Sequence, residues 1–136
     1  IKHYQKFTVN IPDESFMLEM EQAGFISHRE KIAKLGLDFQ PSDLTQAPIL
    51  DACPVVLDCE VDRIIEEDGI CHIFAKILDR LAESDLLDDK GHFRNDSFAP
   101  TYFMGDGHKR VYRYLDNRVD PMGSFIKKAR RKDEKS

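Results

Sequence analysis

The sequence predicts one domain built mainly from antiparallel β-strands, with a few short helices. Residues 55–61 and 70–78 both alternate between two faces, and Glu66-Glu67-Asp68-Gly69 separates them with the residues of a tight turn. Each segment has one half-polar face, whereas the strands of a parallel α/β sheet are apolar on both faces. The two segments therefore predict a long antiparallel hairpin, with Asp58 on its polar face.

Shorter elements are predicted around this hairpin. Residues 7–11 alternate and are rich in β-branched side chains, which favours a strand. Apolar residues at helical spacing predict a helix from Phe16 to Ala23, with Gly24 as its stop signal. Ser27 and Glu30 fit the capping box that opens a second helix. The other predictions are an irregular loop over 38–48, an acidic loop over 79–98 with a helical turn at Leu81–Leu87, and a last strand over 110–115.

The composition excludes several classes of partner. The net charge of −5 argues against general binding to nucleic acid or to acidic membranes. No apolar run approaches the roughly 20 residues of a membrane span. Three cysteines, Cys53, Cys59 and Cys71, lack metal-ligand spacing and predict buried free thiols. No signal-peptide pattern is visible at the start, so the predicted location is cytoplasmic. His3, His92 and His108 also lack metal-ligand spacing, so no metal site is expected.

The two ends of the chain differ in character. Residues 1–7 run straight into strand-like sequence, so we expect the chain to begin inside its own domain. Residues 127–136 hold six Lys and Arg residues and few apolar groups, which is typical of a flexible basic tail. The predicted organisation is a domain over 1–126 followed by that tail.

Four segments in this order resemble one family. They are Phe7-Thr8-Val9-Asn10, Ser27-His28-Arg29-Glu30-Lys31, Ala47-Pro48-Ile49-Leu50 and the strand that begins at Cys53-Pro54. This order resembles the FMN-binding split barrel of the flavin reductase and flavoredoxin type, without its first strands. The sequence departs from the family pattern at His28 and Ile32, where the family has Gly and Phe, and at Ala75-Lys76, where it has Gly-Glu.

The resemblance implies an antiparallel split β-barrel with short helices that binds FMN non-covalently. Such a protein passes electrons from NAD(P)H or another donor to flavin, ferric iron or a partner protein, and forms a homodimer with the flavin near the subunit interface. Two alternatives stay open: a non-catalytic split barrel that binds FMN or haem, and a protein-interaction domain. Nothing in the sequence chooses between NADH and NADPH.

The segment from Ser27 to Lys31 is the candidate anion site. A helix start presents free backbone amides and a partial positive charge, to which Arg29 and Lys31 add two cations. The resemblance assigns Ser27, Arg29 and Lys31 to the flavin edge, to its phosphate side or to the phosphates of the nicotinamide donor. The alternative is an ordinary N-cap followed by two solvated cations.

Three further residues receive roles through the resemblance. Asn10 would lie beside the flavin ring, where its carboxamide can donate and accept; otherwise it is a turn former. His72 would donate to the ring or assist proton transfer as the catalytic residue, or else is a half-buried strand residue. Tyr102 belongs to an aromatic closing segment that would stack on the isoalloxazine; the alternative is an aromatic side chain of the barrel core or rim.

Overall fold

The structure, a computed structural model, describes residues 1–26, 34–116 and 118–127. Most of the regular structure in these ranges is β-strand, as the alternating segments predict. The elements are β1 (Lys6–Ile11), α1 (Met17–Phe25), β2 (Phe39–Pro41), β3 (Pro48–Leu50), β4 (Val55–Glu67), β5 (Ile70–Ala82), β6 (Thr101–Gly105) and β7 (Arg110–Tyr114), with 3-10 turns at Glu14–Phe16 and Ser84–Leu86.

The strands form three antiparallel sheets. The largest has the order β1-β4-β5, and the other two are the pairs β2-β3 and β6-β7. β1 pairs only with the first half of β4, so Lys6 lies opposite Glu60 and Ile11 lies opposite Val55. The second half of the β4-β5 hairpin therefore extends beyond β1 as a two-stranded arm. The prediction of a mainly antiparallel β-structure is confirmed.

The long hairpin and its turn are also as predicted. Glu67 pairs with Ile70 across a two-residue loop, Asp68-Gly69. Asp68 has φ +50° and Gly69 has φ +78°, so both central residues lie in the left-handed region. This is the geometry whose twist matches two antiparallel strands, and Asp-Gly tolerates it.

Two bulges break the strict alternation predicted for the hairpin. Asp58 pairs with Asp79 whereas Cys59 pairs with Ile77, which leaves Leu78 as an extra residue on β5. A second irregularity between Val61 and Arg63 leaves Asp62 extra on β4. Bulges of this kind bend the strand and change which way its side chains point. The prediction of two uninterrupted faces over these residues is therefore wrong.

Three shorter predictions are wrong in detail. α1 continues through Gly24 to Phe25, because a glycine inside a helix costs some stability without ending the helix. β2 and β3 lie at the two ends of the predicted 38–48 loop, where pairing with each other overrides the local Pro and Asp signals. β5 runs to Ala82, so only a 3-10 turn follows it. None of the described helices is long and apolar enough to cross a membrane.

The core is small and partly polar. Among the described residues the buried ones are Ser42, Thr45, Ala47, Cys53, Pro54, Val56, Asp58, Cys59 and Leu86. All but Leu86 lie between positions 42 and 59, where the chain crosses the sheet and enters β4. β5 is exposed along almost its whole length, including the apolar side chains of Ile70, Phe74 and Ile77. The hairpin therefore presents an open edge and uncovered apolar faces.

The three cysteines are free, but only two are buried. The prediction of buried thiols is right for Cys53 and Cys59 and wrong for Cys71, which lies on the exposed arm of the hairpin. Burial raises the pKa of the Cys53 thiol, with a smaller contribution from the Asp13 carboxylate. Burial also raises the pKa of Cys59, and the charge of Asp58 adds to it.

These positions predict unequal thiol reactivity. We expect Cys71 to react first with a thiol-specific disulfide reagent at neutral pH, because Cys53 and Cys59 are covered and hold less thiolate. The measurement is the time course of labelling with mass spectrometric assignment, in native buffer and in denaturant. The control is Cys71→Ser, which should remove the fast phase. Fast labelling of Cys59 in native buffer would contradict the described packing.

Candidate functional site

The Asn10 side chain is held by the strand beside it. Its Oδ1 accepts the Leu50 amide at 2.8 Å. Its Nδ2 donates to the Pro48 carbonyl at 3.3 Å and to the Thr8 hydroxyl at 3.0 Å. The Thr8 hydroxyl also donates to the Pro48 carbonyl. Both amide hydrogens of Asn10 are thus engaged inside the protein, and the residue ties β1 to β3 rather than forming a turn.

A second polar cluster surrounds Asp58. Its side chain is 1% exposed, and its two carboxylate oxygens accept hydrogen bonds from the hydroxyls of Ser42 and Thr45. The Ser42 oxygen in turn accepts the backbone amides of Leu44 and Thr45, each at 3.1 Å. A buried carboxylate is costly unless it is hydrogen-bonded, and here each oxygen has a partner.

These two clusters hold one piece of chain, residues 42–50, against the sheet. Within it Ser42 donates its amide to the Ala47 carbonyl at 2.9 Å, which closes a tight turn before β3. Thr8 lies opposite Asp58 in the β1-β4 register, so the two side chains share a face. The 42–50 segment lies on that face, fixed by the Asp58 carboxylate at its start and by the Asn10 carboxamide at its end.

Tyr102 lies at the same end of β1 as Asn10. Pro100 forms an antiparallel bridge with Asp13, and the Thr101 hydroxyl lies 3.2 Å from the Met17 sulfur. These contacts bring the start of β6 to the segment that follows β1. The Tyr102 side chain remains 51% exposed, so it is a surface aromatic residue and its ring is open to a ligand.

His72 lies far from both. It pairs with Ile65 on the arm of the hairpin, whereas Asn10 pairs with Val56. Ile65 follows Val56 by nine residues on β4, which at about 3.3 Å per residue is about 30 Å along the strand. The register therefore places His72 and Asn10 of one chain at well-separated levels of the hairpin. Ser27, Arg29 and Lys31 lie outside the described residues.

The sequence reasoning missed Asp58 and its two hydroxyl partners. The alternation of residues 55–61 places Asp58 on a polar face, and a polar face is normally solvated. Ser42 and Thr45 lie in a segment predicted to be irregular. The one local signal is the pair of hydroxyl residues at i and i+3, which suits a turn but does not identify the strand that the turn covers.

Comparison with solved structures shows what this arrangement resembles. The chain is 24% identical to 2-nitrobenzoate 2-nitroreductase of Pseudomonas fluorescens, with a TM-score of 0.75 over 85% of this chain. It is 23% identical to flavoredoxin of Desulfovibrio vulgaris, with a TM-score of 0.74 over 88% of this chain. It is 14% identical to the FMN-binding domain of a flavin reductase-like enzyme of Shewanella baltica, with a TM-score of 0.67 over 88% of this chain. Another matching structure is described as containing a split barrel domain.

The chain has the split-barrel fold. This confirms the fold that the resemblance implies, since the matches cover most of the chain at TM-scores well above 0.5. The chain spans 58% of the nitroreductase, 64% of the flavoredoxin and 65% of the Shewanella baltica domain. No family model matches the sequence, and no curated protein matches it.

The described residues fit FMN in part. The exposed Tyr102 ring offers a stacking surface, as the resemblance implies. Asn10 fits a direct contact poorly, because both of its amide hydrogens are already bonded and only one acceptor position on its Oδ1 is open. A cavity of about 250 Å³ lies beside β3, lined by Ile49, Cys53 and Leu81 among others. Of the predicted site residues that the structure describes, Asn10, His72 and Tyr102, none lines it. Asn10 therefore suits an indirect role, in which it positions β3.

The Asp58 cluster gives a testable effect on stability. We expect Asp58→Asn to lower the free energy of unfolding by about 2 kcal/mol. The substitution replaces one carboxylate oxygen, which accepts a hydroxyl hydrogen bond, with an NH2 group that can only donate. The matched control is Asp79→Asn, since Asp79 lies directly opposite Asp58 on β5 and is exposed. Urea unfolding curves of both variants measure the difference. Equal losses would show that the buried hydrogen bonds do not stabilise the fold.

The Asn10 contacts give a second test. We expect Asn10→Ala to lower the free energy of unfolding by about 1–3 kcal/mol, because it leaves the Leu50 amide without its acceptor. Asn95→Ala, at an exposed position before β6, is the control and should change little. The measurement is again urea unfolding, now combined with FMN titration. A variant of unchanged stability that binds FMN more weakly would assign Asn10 to the flavin directly.

Proposed function

We propose that this chain is part of an FMN-binding oxidoreductase of the flavin reductase type. The observation that carries the proposal is the split-barrel fold, shared over 88% of the chain with a flavoredoxin and with an FMN-binding domain. The sequence resemblance supports the same conclusion independently, since it rests on the order of the motifs. FMN, when bound, supplies the electron-transfer chemistry, and the protein supplies binding, orientation and electrostatics.

The protein residues have different roles in this proposal. Ser27, Arg29 and Lys31 hold the phosphate side of FMN or the phosphates of the donor, through hydroxyl and cationic groups at the helix start that the sequence predicts. The Tyr102 ring covers the isoalloxazine by stacking, which its exposure allows. Asn10 keeps β3 in place through the Pro48 carbonyl and the Leu50 amide, and so shapes the site indirectly.

His72 enters this proposal through a second copy of the chain. It lies on the arm of the β4-β5 hairpin, about 30 Å along the strand from the level of Asn10. A two-stranded ribbon is marginally stable by itself, and the exposed side chains of Ile73 and Phe74 favour a covering partner. We therefore propose a homodimer in which His72 reaches the flavin of the other subunit and donates a proton or a hydrogen bond there.

The donor, the acceptor and the cellular location also belong to the proposal. NAD(P)H or another reduced donor would supply the electrons, and flavin, ferric iron or a partner protein would receive them. A cytoplasmic location stays a prediction from the sequence. One observation favours the alternative, which is a non-catalytic FMN- or haem-binding domain or an interaction domain. Asn10 and His72 of one chain do not converge on one site.

The visible absorption spectrum tests the proposed cofactor. We expect flavin bands in the purified protein, or in protein that was mixed with FMN and then separated from unbound FMN by gel filtration, and bleaching of these bands by NADH or NADPH under anaerobic conditions. Bands without bleaching support the non-catalytic alternative, and a Soret band supports haem. Protein that carries no flavin after this treatment would overturn the flavoprotein proposal. Sedimentation of the same sample gives the subunit number, for which we expect two.

The anion segment has its own test. We expect the double variant Arg29→Ala and Lys31→Ala to weaken FMN binding at least about tenfold, because charged hydrogen bonds contribute about 1.5–3 kcal/mol each. The matched control is Arg80→Ala with Lys90→Ala, which removes the same charge from two exposed positions elsewhere. Fluorescence titration of FMN measures both. Equal affinities in the two double variants would remove the segment from the flavin site.

A further inference from the structure

The β6-β7 hairpin has two chemically different faces. Tyr102 lies opposite Arg113, and Met104 lies opposite Val111. Directly opposed residues of an antiparallel pair point to the same side, so these four side chains share one face. The other face carries Phe103 and Tyr112, whose rings meet edge-on at 5.7 Å, together with Arg110 and Tyr114.

The first face contains an open cavity of about 390 Å³, which we call the hairpin cleft. Its lining residues are Met104, Gly105, Asp106, Lys109, Val111 and Arg113. Gly105 is required for its shape, because φ is +129° and a Cβ there would lie 1.9 Å from the Lys109 carbonyl oxygen. Asp106 closes the turn by accepting the amides of His108 and Lys109 at 2.7 and 3.1 Å.

The charge of the hairpin is opposite to that of the chain. Lys109, Arg110 and Arg113 outnumber the single acidic residue Asp106 between positions 101 and 114, whereas the whole chain has a net charge of −5. Within the described part of the chain, neither Lys109 nor Arg113 has an ion-pair partner. Asp106 directs its Oδ1 to backbone amides, and these hydrogen bonds hold the pKa of its carboxyl below the usual value. Two cations therefore remain available to a ligand.

We propose that the hairpin cleft binds a small aromatic carboxylate. The Met104 and Val111 side chains provide an apolar floor for a planar ring. Tyr102 lies outside the lining, on the same face and two residues before Met104. The Arg113 guanidinium can pair with a carboxylate through two parallel hydrogen bonds, and Lys109 adds a second positive charge. The binding of this compound does not depend on the proposed function. Its role as the electron acceptor does rest on that function.

The position of the cleft favours that role. Tyr102, which the proposed function places over the isoalloxazine, lies on the same face as Arg113 and directly opposite it. A ring bound in the cleft against Met104 would therefore lie on the same face as the flavin, with Tyr102 as the next residue of β6 on that face. The hairpin also offers a matched comparison, because Arg110 carries the same charge on the opposite face, three residues from Arg113.

The test is a titration with benzoate and with benzamide, its uncharged counterpart. The protein carries ¹³C-methyl methionine, and the Met104 signal, assigned through Met104→Leu, reports on the cleft. We expect a saturable shift of this signal with benzoate, and binding at least about fivefold weaker with benzamide, which corresponds to about 1 kcal/mol of charge pairing. Arg113→Gln and Lys109→Gln should each weaken benzoate binding by a similar factor, while Arg110→Gln should leave it unchanged.

Several outcomes would overturn the proposal. They are the absence of a Met104 shift, equal affinity for benzoate and benzamide, and an equal loss in Arg110→Gln and Arg113→Gln. Adding FMN separates the cleft from the flavin site. Competitive displacement of benzoate by FMN, with weaker FMN binding in Arg113→Gln, would assign the cleft to the cofactor. Benzoate binding in a protein that never binds FMN would leave the cleft standing and overturn the proposed function.

Discussion

The buried carboxylate of Asp58 is the interaction on which the arrangement of the domain depends. It lies in the first half of the central strand, β4, where solvation is lost and each oxygen must be hydrogen-bonded by the protein. The hydroxyls of Ser42 and Thr45 meet that requirement, and both come from a piece of chain with little regular structure. The need to satisfy one carboxylate thus fixes the 42–50 segment on the sheet.

The hydrogen bonds of Asp58 also fix the part of the chain that leads to the proposed flavin region. From Ser42 the chain closes a tight turn at Ala47 and enters β3, where the Pro48 carbonyl and the Leu50 amide meet the Asn10 carboxamide. Asn10 therefore acts on β3 in the same way as Asp58 acts on the preceding turn. Two polar side chains on neighbouring strands thus position one backbone segment, and such networks are specific because a half-satisfied one is unstable.

Outside the core, the fold leaves apolar side chains and a strand edge exposed to solvent. The buried residues concentrate between positions 42 and 59, while β5 exposes apolar side chains such as Ile70, Phe74 and Ile77. An exposed strand edge of 13 residues can pair with further chain. In the proposed homodimer, a second chain would cover this arm and bring its own flavin site to His72. The basic β6-β7 hairpin is the second open surface, and its charge favours anionic ligands.

The sequence by itself determined the elements whose causes are local. Alternating side chains and the Asp68-Gly69 turn specify the β4-β5 hairpin, because the turn geometry and the strand period are properties of adjacent residues. Only the tertiary structure decided the rest. The burial of Asp58, the pairing of β2 with β3 and the separation of Asn10 from His72 depend on contacts between segments that are not adjacent in the chain, which no local pattern records. The sequence shows the same aspartate whether its hydrogen bonds come from water or from a distant hydroxyl group.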